Sequence, residues 1–135
     1  MVNSQRILKF RAWDIERKNM SYNIDYIEFN NGQISANLND SHYSNFIYLM
    51  QWTGLKDRNG KDIYEGDIVQ IQHSCWTENS QVIFIEGSFV CEQLKKHPKN
   101  NGKATPSFID IIRSKWELEI IGNIYENSEL LEVSK

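Results

Sequence analysis

Apolar side chains along this chain recur mostly at every second position, the spacing expected of β-strands rather than of helices. The first such stretch is ILKFRAW at residues 7–13. Its two alternating sets are Leu8, Phe10 and Ala12, and Ile7, Lys9 and Arg11. Because successive side chains of a strand point to opposite faces, we expect a half-buried strand whose basic set faces solvent.

Two hairpins are predicted where turn residues separate pairs of strand-like segments. IDYIEF and QISANL flank Asn-Asn-Gly at residues 30–32, and an Asn-Gly pair readily adopts the positive φ angles of a tight turn. In SQVIFIEGSFVCEQL, two strands join at Glu86 and Gly87. Four side chains of this second hairpin are expected to fill a core: Val82, Phe84, Phe89 and Cys91.

The middle block TGLKDRNGKDIYEGDIVQIQ, residues 53–72, predicts two tight turns before a β-rich run. Asn and Asp hydrogen-bond to nearby backbone, and Gly reaches backbone angles that other residues avoid. Two turns separated by a short extended piece form the arch that opens many SH3-like barrels. WELEIIGNIYEN would close the barrel, with a bulge or bend at its glycine. The predicted structural turn residues are Asp57, Asn59, Gly60, Gly66, Asp67, Gly122 and Asn123.

Other segments are less clearly patterned. HYSNFIYLMQWTGL, at residues 42–55, is compatible with an extended segment or with a short helix. Both prolines lie in an exposed loop within residues 92–107. Ser107 followed by Asp110 resembles a capping box, so SFIDIIRSK is expected to form one or two helical turns. ENSELLEV, near the end of the chain, is a candidate terminal helical turn.

Length and composition indicate an ordinary globular protein. The chain has 135 residues, of which 40% are hydrophobic, enough for one domain or two small lobes. No apolar run approaches the roughly 20 residues that span a bilayer. The N-terminus lacks the apolar segment of a secretory signal, so a cytoplasmic location is expected. There Cys75 and Cys91 would remain thiols.

The cysteines also admit a zinc hypothesis, in which they bind a metal together with His73 and His97. Neither half of this set has the short Cys-x-x-Cys spacing of a typical zinc site. Packing is therefore the favoured role of both thiols, and no metal or other cofactor is predicted.

Charge is unevenly distributed, although the net charge is only −3. Residues 1–20 contain five basic and two acidic side chains, and residues 92–103 contain four lysines and one glutamate. The last twenty residues contain five glutamates and one lysine. Solvated faces are the simpler interpretation, and attraction between subunits is the alternative.

Three blocks resemble the YopX family of phage and prophage proteins: LKFRAWD (8–14), LMQWTGLKDRNGKDIYEGDIV (49–69) and IIGNIYENSELLE (120–132). They occur in the family's order and bracket nearly the whole chain. The resemblance implies an α+β fold, mainly β, with an N-terminal α+β portion (residues 1–55) and a C-terminal SH3-like β-barrel (residues 56–135). It also implies a large homo-oligomer, and it implies no established activity. Trp52, Ser128 and the loop at residues 92–107 depart from the family's pattern.

Catalytic motifs are absent from the sequence. It contains no nucleophile elbow, phosphate-binding loop or His-Glu-x-x-His helix, so we expect a protein that is not an enzyme. Four carboxylates in the middle block could in principle bind a hard cation, but their order is not that of a calcium loop, and turn capping is favoured. These are Asp57, Asp62, Glu65 and Asp67.

Two classes of function remain. The preferred class is a homo-oligomeric structural or interaction protein, with Trp13, Trp52 and Tyr64 as the candidate interface. The alternative is a nucleic-acid-binding module, and its candidate contacts are Lys95, Lys96, Lys99 and Lys103. Arg6, Lys9 and Arg11 could add to that basic surface. Neither a membrane partner nor a small-molecule substrate is predicted.

Overall fold

The computed structural model describes residues 5–38, 42–95 and 105–131. These residues are mainly β, with eleven strands and one α-helix. The strands are β1 (Phe10–Asp14), β2 (Asn19–Ser21), β3 (Ile24–Asn30), β4 (Gln33–Leu38), β5 (His42–Ser44), β6 (Ile47–Lys56), β7 (Asp62–Tyr64), β8 (Asp67–Gln72), β9 (Thr77–Ile85), β10 (Ser88–Gln93) and β11 (Glu117–Asn123). The helix is α1 (Phe108–Arg113), and a 3-10 turn follows at Ser128–Leu131. The chain divides into two compact units, Met1–Gly54 and Leu55–Lys135.

The first unit contains two antiparallel arrays of strands. One has the order β2-β1-β6, and the other has the order β3-β4-β5. The predicted β3–β4 hairpin is confirmed, with positive φ angles of 50° at Asn31 and 78° at Gly32. The segment that could have been a helix is extended as β5 and β6. The unit's core consists of Ala12, Ala36 and Leu38, packed with the partly buried Ile24, Ile27, Ile47 and Leu49.

Two expectations for the first unit do not match the structure. Arg11 is only 2% exposed, so the prediction that it faces solvent is wrong. Its guanidinium lies 5.9 Å from the centre of the Tyr22 ring, and Nη1 donates a hydrogen bond to the Tyr22 hydroxyl at 3.4 Å. The helical part implied for this portion is also not found in residues 5–38 and 42–54, where the regular elements are strands.

The second unit is built on an antiparallel sheet with the order β10-β9-β8-β11. The predicted β9–β10 hairpin is confirmed, and its turn has φ angles of 51° at Glu86 and 79° at Gly87. β7 is hydrogen-bonded next to β6, whose last two residues belong to this unit. The buried core residues are Ile63, Val69, Ile71, Val82, Cys91, Phe108, Ile111 and Leu118.

One expectation for this core is wrong, and a second is not among the described pairings. Val82 and Cys91 are buried as predicted, but Phe84 is 52% exposed and contacts Phe89 edge to face, with ring centroids 4.9 Å apart. Phe84 lies near the hairpin turn, outside the core in which Val82 is buried. The predicted closing strand, β11, pairs with β8, which leaves β10 and β11 at opposite edges of the described sheet order. Barrel closure is therefore not among the described pairings.

Helix α1 forms where the capping box predicted it. The Ser107 side chain accepts a hydrogen bond from the Asp110 backbone N–H, and the Asp110 carboxylate accepts one from the Ser107 backbone N–H. Phe108 and Ile111 are the buried residues of the helix, which brings it into the core of the second unit. No helix among the described residues has the length and apolar character needed to cross a bilayer.

Candidate functional site

The turn at residues 57–60 is organised by one carboxylate. Asp57 Oδ1 accepts hydrogen bonds from the backbone N–H groups of Asn59 and Lys61, each at 2.9 Å. Asp57 Oδ2 accepts a third from the Ile120 N–H at 3.0 Å, and so ties the turn to β11. Burial raises the pKa of Asp57, but the three backbone hydrogen bonds and the charge of Lys61 outweigh it and lower the pKa. Gly60 completes the turn with a φ angle of 83°.

A second turn follows one short strand later. The Asp67 carboxylate accepts a hydrogen bond from the Tyr64 N–H at 2.8 Å. Gly66 has a φ angle of 85°, and its N–H donates to the Val82 carbonyl at 2.9 Å. The Gly66 carbonyl in turn accepts from the Ile124 N–H at 2.9 Å. This turn therefore fastens β8 to both of its neighbouring strands.

The third turn ends β11. Asn123 Oδ1 accepts hydrogen bonds from the N–H groups of Tyr125 and Glu126, at 3.0 and 2.9 Å. The Asn127 side chain accepts one from the Asn123 N–H at 3.1 Å. Gly122 lies at a bulge in the β8–β11 pairing, but its φ angle is not positive. A Cβ atom there would lie 2.6 Å from Asn127 Oδ1, so glycine is required by the close approach of Asn127.

The four acidic residues of the middle block do not form a cation site. The oxygens of Asp57 and Asp67 accept backbone hydrogen bonds, and Asp62 pairs with Lys56 Nζ at 2.9 Å. Within the described ranges, no group of three or more His, Cys, Asp or Glu residues is arranged to bind a metal ion. The hydrogen bonds of Asp57 and Asp67 are those of turn-capping residues.

The zinc hypothesis also meets a geometric obstacle. Cys75 is exposed whereas Cys91 is buried in the core, and His97 lies outside the described residues. Burial and the charge of Glu78 raise the pKa of Cys91 to about 12. Its thiol therefore stays protonated near neutral pH, and Cys91 is an unreactive packing residue.

The buried His73 and the partly buried Glu78 form a pair that sequence reasoning did not find. His73 stacks on Trp76, with ring centroids 3.2 Å apart, and meets the edge of Trp116 at 4.1 Å. His73 Nε2 lies 3.5 Å from Glu78 Oε1. Burial lowers the pKa of His73 and raises the pKa of Glu78, because both charged forms lose contact with water. The two residues are five apart, on either side of the β8–β9 connection, where the chain folds back and brings their side chains together.

We expect the stabilities of two single variants to depend on pH with opposite signs. Glu78→Gln retains His73, whose folded pKa is below 6.5, so the free energy of unfolding decreases as the pH falls through 6.5. His73→Gln retains Glu78, whose folded pKa is above 4.5, so the free energy of unfolding decreases as the pH rises from 4.5 through that pKa. Urea titrations at several pH values, each compared with the double variant, measure both slopes. The same sign in both variants would refute this interpretation.

The three candidate interface residues differ in exposure. Tyr64 is only 4% exposed, so it lies in the interior and offers no surface to a partner. Trp13 and Trp52 are half-buried, and Trp13 lies opposite Tyr48 in the β1–β6 pairing. Lys9 Nζ lies 4.4 Å from the centre of the Trp52 ring.

Other aromatic residues are more exposed than the predicted ones. The β3-β4-β5 register aligns Tyr26, Asn37 and Tyr43 in one row, and the two tyrosines are 48% and 52% exposed. Phe29, near the β3–β4 turn, is 73% exposed. The alternation of IDYIEF indicates which side chains of β3 share a face. It does not indicate which of the two faces is left exposed.

Comparison with known proteins identifies the family. The YopX protein family matches residues 9–132. The chain belongs to the YopX family. It is similar to protein EF1440 from Enterococcus faecalis, with 26% identity and a TM-score of 0.60 over 95% of this chain and 100% of that one. It is also similar to protein yopX from Bacillus subtilis, with 25% identity and a TM-score of 0.60 over 91% of this chain and 97% of that one. No curated protein matches the chain.

In this YopX-family chain, the middle and last of the three blocks that carry the resemblance meet in three dimensions. Asp57, in the middle block, accepts a hydrogen bond from Ile120, in the last block, and Asp67 pairs with Asn123 in the β8–β11 register. The family pattern thus coincides with the turn contacts of the second unit. Of the basic loop, Lys95 is exposed, whereas Lys96, Lys99 and Lys103 lie outside the described residues.

Proposed function

We propose that this protein is a phage- or prophage-encoded accessory protein of the bacterial cytoplasm that associates with copies of itself. The observation that supports this role is the exposure of large apolar side chains on regular elements. Tyr26 and Tyr43 flank Asn37 in one row of the β3-β4-β5 sheet, and Phe29 is 73% exposed. The two tyrosines share one face of the sheet and Phe29 belongs to the other face, because side chains alternate along a strand. Exposed apolar side chains on a regular surface commonly mark a protein–protein contact.

The second unit has a comparable feature. Ile109 and Ile112 of α1 are 55% and 54% exposed, while Phe108 and Ile111 of the same helix are buried. Residues three apart are neighbours on a helix surface, so the two isoleucines form one apolar strip. Coverage by another subunit would remove this strip from water.

The proposal includes an SH3-like barrel for residues 56–135. The antiparallel order β10-β9-β8-β11 and the arch at residues 57–67 support it. It assigns no catalytic reaction, cofactor or small-molecule substrate to the protein. Fold alone would not choose a function, because one barrel architecture serves unrelated roles.

Light scattering tests the role directly. We expect a mass several times 15.9 kDa at micromolar protein concentration. Moderate salt should leave the assembly largely intact, because burial of apolar surface is little affected by ionic screening. A mass of one chain at every concentration would refute the proposal.

The alternative function, nucleic-acid binding, predicts a strong dependence of binding on salt. Binding should weaken steeply with salt, with a log–log slope of roughly 0.7 to 0.9 per neutralised phosphate. Alanine at the four candidate lysines of the basic loop, Lys95, Lys96, Lys99 and Lys103, should then flatten the slope and leave the mass unchanged. A monomer that binds DNA or RNA in this way would replace the proposed role with the alternative.

A further inference from the structure

Strand β3 is an edge strand. In the described residues it is hydrogen-bonded to β4, and it stands at the outside of the order β3-β4-β5. An edge strand of seven residues presents a row of backbone donors and acceptors that can pair with another chain. Two acidic residues on this strand, Asp25 and Glu28, are exposed.

The segment before β1 has the sequence of a strand but lies outside the described strands. We term residues 5–9 the N-terminal arm. Ile7 is 72% exposed and Leu8 is 55% exposed, although both belong to the alternating stretch that continues into β1. The Lys9 carbonyl accepts a hydrogen bond from the Trp52 N–H at 2.8 Å, so the last residue of the arm is bonded to β6 and residues 5–8 precede this contact.

The charges of the arm and of β3 are complementary. The arm has basic residues at positions 6 and 9, and β3 has acidic residues at positions 25 and 28. Lys9 lies over the Trp52 ring, and Asp25 lies at a bulge of β3 and accepts a hydrogen bond from Asn37, so Arg6 and Glu28 carry the charge complementarity. An antiparallel alignment places Arg6 opposite Glu28 and Ile7 opposite Ile27, with Lys9, the last residue of the arm, near Asp25. Cross-strand pairs of opposite charge and of apolar side chains stabilise a sheet.

Two other pairings are less favourable. If β3 of one subunit paired antiparallel with β3 of another, with the pairing centred between Tyr26 and Ile27, Asp25 would face Glu28 and the like charges would repel. A parallel arm would also match the charges, but it would place Ile7 opposite Tyr26 rather than Ile27. Antiparallel pairing is the pattern of every described ladder, and it is slightly more stable per residue.

We infer that the N-terminal arm of one subunit adds as an antiparallel strand to the β3 edge of the next. This inference rests on the proposed self-association and names its contact. Because the arm and the β3 edge are different surfaces, the contact is head to tail, and repetition closes a ring when the rotation allows it.

Charge reversal tests the contact. Arg6→Glu and Glu28→Lys should each raise the protein concentration at half-assembly about fivefold to tenfold, because an attractive cross-strand pair becomes a repulsive one. The double variant should recover wild-type assembly. Glu86→Lys, which makes the same charge change in the exposed β9–β10 turn, should have no effect. Sedimentation velocity measures the four variants and the wild type.

A mixing experiment distinguishes an arm that contacts β3 of another subunit from an arm that contacts β3 of its own chain. An equimolar mixture of the two single variants should assemble like the wild type, because the acidic arm of one fits the basic edge of the other. With the single exposed cysteine removed by Cys75→Ser, oxidation should link Leu8→Cys to Tyr26→Cys when these variants are mixed.

The outcomes distinguish this inference from the proposed function. A wild-type protein that stays monomeric overturns both. A wild-type assembly that is unaffected by Arg6→Glu and Glu28→Lys leaves self-association standing and overturns the arm contact. Failure of the double variant to recover assembly, or a cross-link from Ile7→Cys instead of Leu8→Cys, overturns the antiparallel register.

Discussion

Replacing Asp57 by alanine should lower the free energy of unfolding by about 3 kcal/mol, because charge-assisted hydrogen bonds to three backbone N–H groups disappear. These N–H groups belong to Asn59, Lys61 and Ile120, and the last one joins the turn to β11. Equilibrium unfolding in urea, followed by tryptophan fluorescence, measures the loss.

Asp62→Ala is the matched control. Asp62 lies five residues further along, and its partner Lys56 has a side chain that is 60% exposed. Exposed ion pairs of this kind contribute less than about 1 kcal/mol. Equal losses in the two variants would mean that the Asp57 hydrogen bonds do not stabilise the fold.

The Asp57 contribution should also depend on pH. Its folded pKa is lowered from 3.8, so the stabilisation is fully present above that value and is lost as the pH falls through the folded pKa. The stability difference between wild type and Asp57→Ala should therefore shrink below about pH 3.8.

Replacing Gly122 by valine should destabilise the protein by about 3 kcal/mol, because the new side chain must overlap Asn127. The ideal Cβ position lies 2.6 Å from Asn127 Oδ1 and 2.9 Å from Asn127 Cβ. Moving Asn127 aside also breaks its hydrogen bond to the Asn123 N–H. Thermal and urea unfolding of the variant measure the combined loss.

A double-mutant cycle identifies the cause. Asn127→Ala alone should cost about 1 kcal/mol, the value of a lost hydrogen bond. In the Asn127→Ala background, the further loss from Gly122→Val should be much smaller than in the wild type, since part of the obstructing side chain is gone. Additive losses would show that the amide group of Asn127 is not what requires glycine at residue 122.

Local features of the fold could be predicted because their causes lie within a few residues. The turns at Asn31 and Glu86 follow from neighbouring glycines that accept positive φ angles, and the start of α1 follows from Ser107 and Asp110. The alternation that predicted the two hairpins depends only on the period of a strand. Three sequence blocks were likewise enough to indicate the YopX family.

Burial and exposure were predicted less well, because they depend on residues that are distant in sequence. Arg11 was expected in solvent but is buried beside Tyr22, and Phe84 was expected in the core but is exposed. Tyr64 was a candidate for a surface contact and is buried, whereas Tyr26 remains exposed. Alternation assigns the side chains of a strand to two faces, but it does not determine which other residues pack against each face.

The sequence by itself determined the β-rich class, the positions of the turns, the cap of α1 and the family. Only the tertiary structure decided that β11 pairs with β8, that Asp57 binds the Ile120 N–H, and that His73 meets Glu78. It also decided why residue 122 is glycine, since Asn127 folds back against it. The physical reason is range: a turn is set by the backbone preferences of adjacent residues, whereas the β8–β11 pairing and the Asp57–Ile120 hydrogen bond are set by packing between segments far apart in the chain. His73 and Glu78, like Gly122 and Asn127, are only five residues apart, but their side chains meet because the chain folds back between them.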